Sequence, residues 1–211
     1  MVKYNVLYHA SIRFEYNGLV IYCDPFKIDR EYNDADLVFI THPHYDHYSI
    51  DDIRMVSNEK THYIAPLSTK KYVKYLKSDN VTYVNPNKSY DVLGVSFNTV
   101  RAYNSHKPFH KKRFDWLGYI LNLDNETYYV MGDTDENEDV LKVKADYVFV
   151  PIGGTYTFDA AEAANYINKV APKVVIPIHY GKTINNKKGI VNDFTKKVNN
   201  NIKIEVQLKE D

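Results

Sequence analysis

The chain has little of what would tie it to a membrane, a disulfide framework or a nucleic acid. Cysteine occurs once, at Cys23, so neither an intramolecular disulfide nor a thiolate zinc knuckle can form. On that count the chain reads as cytoplasmic. No apolar run approaches the roughly 18 residues of a membrane span. The opening Met1-Val2-Lys3-Tyr4-Asn5 carries no apolar stretch of the kind a secretory signal needs. Charge of either sign is not in excess: 27 Lys and Arg against 27 Asp and Glu give a formal net charge of zero. That argues against a bulk nucleic-acid binder, while leaving room for a local basic patch. Glycine and proline are also sparse, 8 each, and sit singly at turns, so no linker is evident. With 211 residues, one domain over 1–211 is expected. Tyrosine, at 20 residues, is abundant, which suits a strand-rich chain.

Short strand-like runs open the sequence at 5–8, 12–16 and 19–23, with Asn17-Gly18 a hairpin signal between the last two. Asp36-Leu37-Val38-Phe39-Ile40 is a continuous apolar run, the pattern of a buried strand. Helices are predicted over 50–56 (N-capped by Ser49), 70–77, 137–143, 160–170 and 191–198. Further strands are predicted over 62–65, 81–84, 90–102, 117–123, 127–131, 147–150, 174–178 and 202–208. Antiparallel clusters with strand–helix units among them imply an α/β (α+β) fold with two sheets and helices outside. There is also an internal echo: Ala35-Asp36-Leu37-Val38-Phe39-Ile40 resembles Ala145-Asp146-Tyr147-Val148-Phe149-Val150.

The informative stretch is His42-Pro43-His44-Tyr45-Asp46-His47, just past the buried run. Pro43 holds His42 extended, and in extended chain residues i and i+2 project to one side. His42 and His44 can therefore reach one metal, while a turn after Tyr45 brings Asp46 and His47 to a neighbouring position. Neutral imidazole and carboxylate suit Zn²⁺ and other first-row metals. Asp133, after the strand ending at Met131, and His179, after the strand 174–178, have the same placement at the end of an apolar strand.

In that order, H-x-H-x-D-H at 42–47, G-D-T at 132–134 and the late His179 resemble the metallo-β-lactamase superfamily. The resemblance spans about residues 5–182. His9-Ala10-Ser11 and the compact length are similar to its branch of small hydrolases, with ascorbate-6-phosphate lactonase and N-acyl-phosphatidylethanolamine phospholipase D. It implies a four-layer αββα sandwich with two metals at one edge of the sheets, zinc with Mn²⁺ or Fe²⁺ as alternatives. His42 and His44 would bind the first metal, Asp46 and His47 the second; Asp133 would bridge and His179 complete the second site. Asp24 would support them without binding metal. The family's third histidine for the first metal falls here on Asn104, a poor zinc ligand. His110 is the favoured substitute, because Pro108 can fold the loop back, with His106 the other candidate. His9 either lines the site or is a core histidine.

The resemblance implies a hydrolase that uses a metal-bound hydroxide on a small ester, lactone or phosphodiester, with Asp46 and His179 as catalytic groups. The basic stretch 106–113 would favour an anionic substrate. Gly153-Gly154-Thr155, ahead of a helix, could offer backbone N–H groups to an anion; Trp116 reads as core. A catalytically silent metal-binding scaffold and a nuclease of the same fold are the alternatives, and the oligomeric state is open.

Overall fold

The computed structural model describes residues 1–184 and 188–209. Two mixed sheets face each other. The first is a six-stranded sheet in chain order: β1 (Lys3–Tyr8), β2 (Ser11–Tyr16), β3 (Leu19–Cys23), β4 (Ala35–Phe39), β5 (Ser57–Pro66) and β6 (Val81–Val84). The second has seven strands: β7 (Ser89–Val92), β8 (Val95–Arg101), β9 (Leu117–Leu123), β10 (Glu126–Val130), β11 (Tyr147–Pro151), β12 (Val174–Ile178) and β13 (Lys203–Ile204). Each sheet begins as an antiparallel meander and continues in parallel, from β3 to β6 in the first and from β10 to β13 in the second. Helices α1 (Ile50–Val56) and α2 (Lys70–Val73) cover the first sheet; α3 (Ala160–Val170) and α4 (Ile190–Thr195) cover the second.

Four layers follow from the alternation of side chains along the central strands. On β4, Leu37 and Phe39 enter the core between the sheets, while Ala35 and Val38 face the layer beneath α1 and α2. On β11, Phe149 points into the shared core, and Val148 and Val150 point to α3. On β12, Val174, Ile176 and Ile178 point in and Val175 out. Strands buried on both faces need no polar alternation, which is why these runs read as unbroken apolar sequence. The fold is the αββα sandwich that the sequence implied.

The echo has a structural counterpart. Asp36 Oδ2 accepts the Val20 N–H of β3 at 2.7 Å, and Asp146 Oδ2 accepts the Thr127 N–H of β10 at 2.9 Å. In each sheet the echo strand is the second of the parallel run, and its aspartate ties it to the preceding strand.

Several local expectations change. The run predicted as one strand over 90–102 is a hairpin, β7 and β8, turning at Leu93-Gly94, where Gly94 adopts φ 76°. The predicted helix at 137–143 is a single 3₁₀ turn, Val140–Lys142; ahead of it Asn137 accepts the N–H groups of Asp139 and Val140 and is itself held by Thr134 and Tyr103. The helix predicted over 70–77 ends at Val73 and finishes as a 3₁₀ turn with Lys77 left-handed. The final strand pairs only at Lys203–Ile204. Beyond it the chain crosses to β1, where Gln207 Oε1 accepts the Val6 N–H at 2.7 Å.

Candidate metal centre

The loops at one edge of both sheets converge. After β4 the chain runs through Thr41 and His42, and the His44 carbonyl then accepts the N–H groups of His47 (3.0 Å) and Tyr48 (2.7 Å). That turn swings Asp46 and His47 back beside His42. From the second sheet come His110 in the loop after β8, Asp133 after β10 and His179 after β12. His9, in the β1–β2 turn, joins them, and its carbonyl accepts the His179 N–H at 2.9 Å.

Two sets of four side chains result: His42, His44, His110 and Asp133, and His9, Asp46, His47 and His179, each with its ligand-type atoms within 4.8 Å of one another. Asp133 stands between them. Its Oδ1 lies 3.0 Å from His179 Nε2 and 3.1 Å from His47 Nε2. Its Oδ2 lies 3.2 Å from His110 Nε2 and 3.9 Å from His42 Nε2. His44 turns Nδ1 inward, 3.1 Å from His42 Nε2 and 3.2 Å from His110 Nε2. Asp46 Oδ2 is 3.2 Å from His9 Nε2, 3.7 Å from His179 Nε2 and 3.9 Å from His47 Nε2.

The outer nitrogens of two imidazoles are fixed by Asp24 and Thr41. Asp24 is fully buried and accepts the Thr41 N–H at 2.8 Å and the Thr41 hydroxyl at 2.6 Å. Its Oδ2 is also 2.7 Å from His47 Nδ1. A hydroxyl that gives its proton to Asp24 can only accept from His42 Nδ1, 2.9 Å away. Both rings are thereby held with the proton on Nδ1 and the Nε2 lone pair facing inward, the arrangement a metal-ligating histidine needs.

The inward atoms fit a cation. His47 Nε2, His179 Nε2 and Asp133 Oδ1 are buried and find no hydrogen-bond partner despite their closeness. Buried polar atoms are rarely left so. The donor set is imidazole nitrogen and carboxylate oxygen with no thiolate, since Cys23 is buried in the core between the sheets. Zinc, manganese and iron all accept such a set. The charges are closely balanced: burial would lower His47, but Asp133 and Asp24 hold its imidazole well above the ordinary value, a positive charge that a bound cation would replace. Burial would raise the Asp133 carboxyl, but the imidazoles of His179 and His47 hold it well below the usual carboxylate range. Burial would likewise raise Asp46; His9 and His47 hold it low. Burial pushes His42 well below the ordinary histidine value, and His9 down to about 3.

The backbone takes an unusual path to do this. His9 (φ 54°), Asp24 (φ 45°), His110 (φ 50°) and His179 (φ 58°) are all left-handed. Such residues cost of order 1 kcal/mol each and persist where surrounding structure overrides them. At Gly153 a side chain is excluded outright: an added Cβ would sit 2.4 Å from the His179 carbonyl oxygen.

The two histidines offered for the place of Asn104 separate cleanly. His110 is in the first set. His106 is exposed and outside both, and buried Asp135 accepts the N–H groups of Ser105 (2.7 Å) and His106 (3.4 Å). Asn104 stands behind His110. Its Nδ2 donates to the Tyr156 carbonyl at 2.7 Å and is 3.4 Å from His110 Nδ1, and its backbone N–H donates to the His110 carbonyl. Gly153-Gly154-Thr155 offers no helix-end donors to an anion. Asp159 already accepts the N–H groups of Ala161 and Glu162 in a capping box at the start of α3.

Trp116 corrects the sequence reading. It is half-buried at the site, its ring 4.9 Å from His42 in a stacked arrangement and 4.8 Å from His44 edge-on. Sequence reasoning also missed Thr134, Asp135 and Asn137, which tie the loop bearing His110 to the loop bearing Asp133. The dense polar run after Gly132 was the available signal.

Comparison with known proteins agrees with this geometry. A β-lactamase superfamily domain model matches residues 4–179. A UPF0173 metal-dependent hydrolase of Saccharolobus solfataricus is 32% identical over 184 residues, 83% of this chain and 78% of that one. One of Sulfurisphaera tokodaii is 30% identical over 207 residues, 90% of this chain and 88% of that one. A crystal structure described as a metal-dependent hydrolase of Parabacteroides distasonis superposes with a TM-score of 0.85 at 25% identity, covering 98% of this chain and 92% of that one. The chain belongs to the metallo-β-lactamase superfamily and, within it, to the UPF0173 family of metal-dependent hydrolases.

Proposed function

We propose that this chain is a binuclear hydrolase acting on a small ester, lactone or phosphodiester. His42, His44, His110 and Asp133 would hold one metal. His9, Asp46, His47 and His179 would surround the other, with Asp133 beside both sets. The observation that carries the reading is Asp133, whose two oxygens face two different histidine pairs. When bound, two metals would supply a hydroxide nucleophile near neutral pH and polarise the electrophile.

The chain's own residues orient and select. Asp24 and Thr41 fix His47 and His42, so the inward lone pairs are set before substrate arrives. Asp46 stays ionised, so it serves as a charged acceptor that orients the nucleophile's proton better than as a base that stores it. His179, whose Nε2 faces both Asp46 and Asp133, would complete the second set of ligands. Substrate enters past His44 and Tyr45, the exposed members of the 42–47 stretch. Zinc is the metal favoured by the donor set.

Elemental analysis of protein purified without chelator, followed by assay of ester and phosphodiester substrates, tests this. Close to two metals per chain is expected, with hydrolysis lost in Asp46→Ala while the metal-loaded fold persists. Metal content near zero after reconstitution with zinc, manganese or iron would overturn it. Equal inactivity of wild type and Asp46→Ala on a broad panel would favour the silent scaffold.

A further inference from the structure

A cavity of about 530 Å³ opens beside the metal centre, lined by His44, Lys71, Tyr72, Arg113, Phe114 and Trp116 among others. That is within the usual size range for a small-molecule pocket. His44 forms part of its wall, and Trp116 lies against His42, His44 and His110, so the cavity and the metal centre are adjacent. Its walls are flat rings. Phe114 stacks on Trp116 at 4.9 Å, and Trp116 in turn stacks on His42 at 4.9 Å, a ladder running outward from His42.

The charge lining the cavity is of one sign. Lys71 Nζ lies 4.7 Å from the Tyr72 ring, and the Arg113 guanidinium 5.3 Å from the Phe114 ring. Among the described residues neither has a carboxylate partner. The other cations of that stretch are differently placed: Lys111 is outside the cavity lining and donates to the Lys107 carbonyl at 3.2 Å. Lys107 pairs with Glu162 at 2.6 Å and Lys112 pairs with Glu138. The basic loop is thus sorted: part of it is neutralised by neighbours, and Arg113 is left facing the cavity together with Lys71 from α2. By contrast, the cavity beside His106 holds Asp135, Glu136 and Glu162, and would repel an anion.

We propose that this cavity binds a flat, negatively charged portion of the substrate, with an aryl or similar ring against the edges of Trp116 and Phe114. An anionic group distinct from the scissile one is held between Lys71 and Arg113. Cations on aromatic faces and an acid-free lining favour that combination over a neutral ring or a ringless anion. The assignment deepens the hydrolase reading and rests on it for the identity of the bound molecule.

Trp116 is the only tryptophan, so its emission reports the cavity directly, without turnover. Metal-loaded protein is titrated with 4-toluenesulfonate, with benzyl alcohol as the neutral ring and methanesulfonate as the ringless anion. Toluenesulfonate is expected to change Trp116 emission and bind about tenfold or more tighter than either control. The Lys71→Gln/Arg113→Gln variant is expected to lose that preference while keeping its metal content and melting temperature. Benzyl alcohol binding as tightly as toluenesulfonate, an unchanged double variant, or no emission response would overturn the assignment. If toluenesulfonate binds as expected but no ester or phosphodiester is cleaved, the hydrolase reading fails and the anion pocket stands. If esters are cleaved with no binding or inhibition by toluenesulfonate, the pocket fails and the hydrolase reading stands.

Discussion

His110 Nε2 lies 3.2 Å from Asp133 Oδ2, on the opposite side of that carboxylate from His47 and His179. His110 thus stands in the first candidate ligand set, and Asn104 does not. His110→Ala is expected to lose roughly one metal per chain, whereas His106→Ala retains the full content. Elemental analysis of the two variants decides it; equal losses would remove the distinction.

Asp24 touches no inward ligand atom, yet it fixes His47 and, through Thr41, His42. Asp24→Asn keeps the shape but replaces one acceptor oxygen with a donor that opposes His47 Nδ1–H or Thr41. Metal affinity is expected to fall about 10–100-fold. A competition titration against a chromogenic chelator measures this, and wild-type affinity would contradict it.

These two cases show what sequence could and could not reveal. The residues 42–47, Asp133 and His179 follow strand ends, and strand ends are legible from apolar runs. His110 is itself a left-handed residue in a loop, favoured over His106 in the sequence only through Pro108, and that loop is tied down by the Ser105 and His106 N–H groups donating to Asp135. Local pattern does not encode such long-range ties. Trp116 was misread for a related reason: an aromatic just before β9 looks like core unless the neighbouring loop is known to carry the site. The boundaries of α3, β9 and β12 were read correctly because caps and two-sided burial mark them.

Metal removal should loosen the whole sandwich, since both ligand sets draw on both sheets. At free metal 100-fold above its dissociation constant, binding contributes about 2.7 kcal/mol. In a chain of this size that corresponds to a melting temperature lower by roughly 5–10 °C after chelation. Calorimetry with and without EDTA reads it; coincident curves would mean that the site contributes nothing to folding stability.

Gly153→Ala places a methyl group against the His179 carbonyl. Overpacking of this kind costs about 1–3 kcal/mol, and here the strain falls on the backbone that aims His179. Turnover is expected to drop more than stability does. Thermal unfolding alongside steady-state assay separates the two, and a fully active variant would show that the loop can yield.

Acid stability should depend on Asp146. It accepts the Thr127 N–H and hydroxyl, each at 2.9 Å, and pairs with Lys173 at 3.0 Å. Burial opposes these partners, but they hold its carboxyl below the ordinary value of 3.8. A carboxyl lower in the folded than in the unfolded chain stabilises above the unfolded value. That stability is lost as pH falls through the folded one. Melting temperature should therefore fall less steeply below about pH 5 in Asp146→Asn than in wild type; parallel curves would exclude the role.

The matched aspartates Asp36 and Asp146 mark two halves that meet between β6 and β7, and neither half owns a complete ligand set. His42 and His44 come from the first half and His110 and Asp133 from the second; His9, Asp46 and His47 come from the first and His179 from the second. A chain cut between Val84 and Ser89 would yield two fragments, each with part of both sets. High-affinity metal capture would then return only on their reassembly, making the site a split reporter of its own fold.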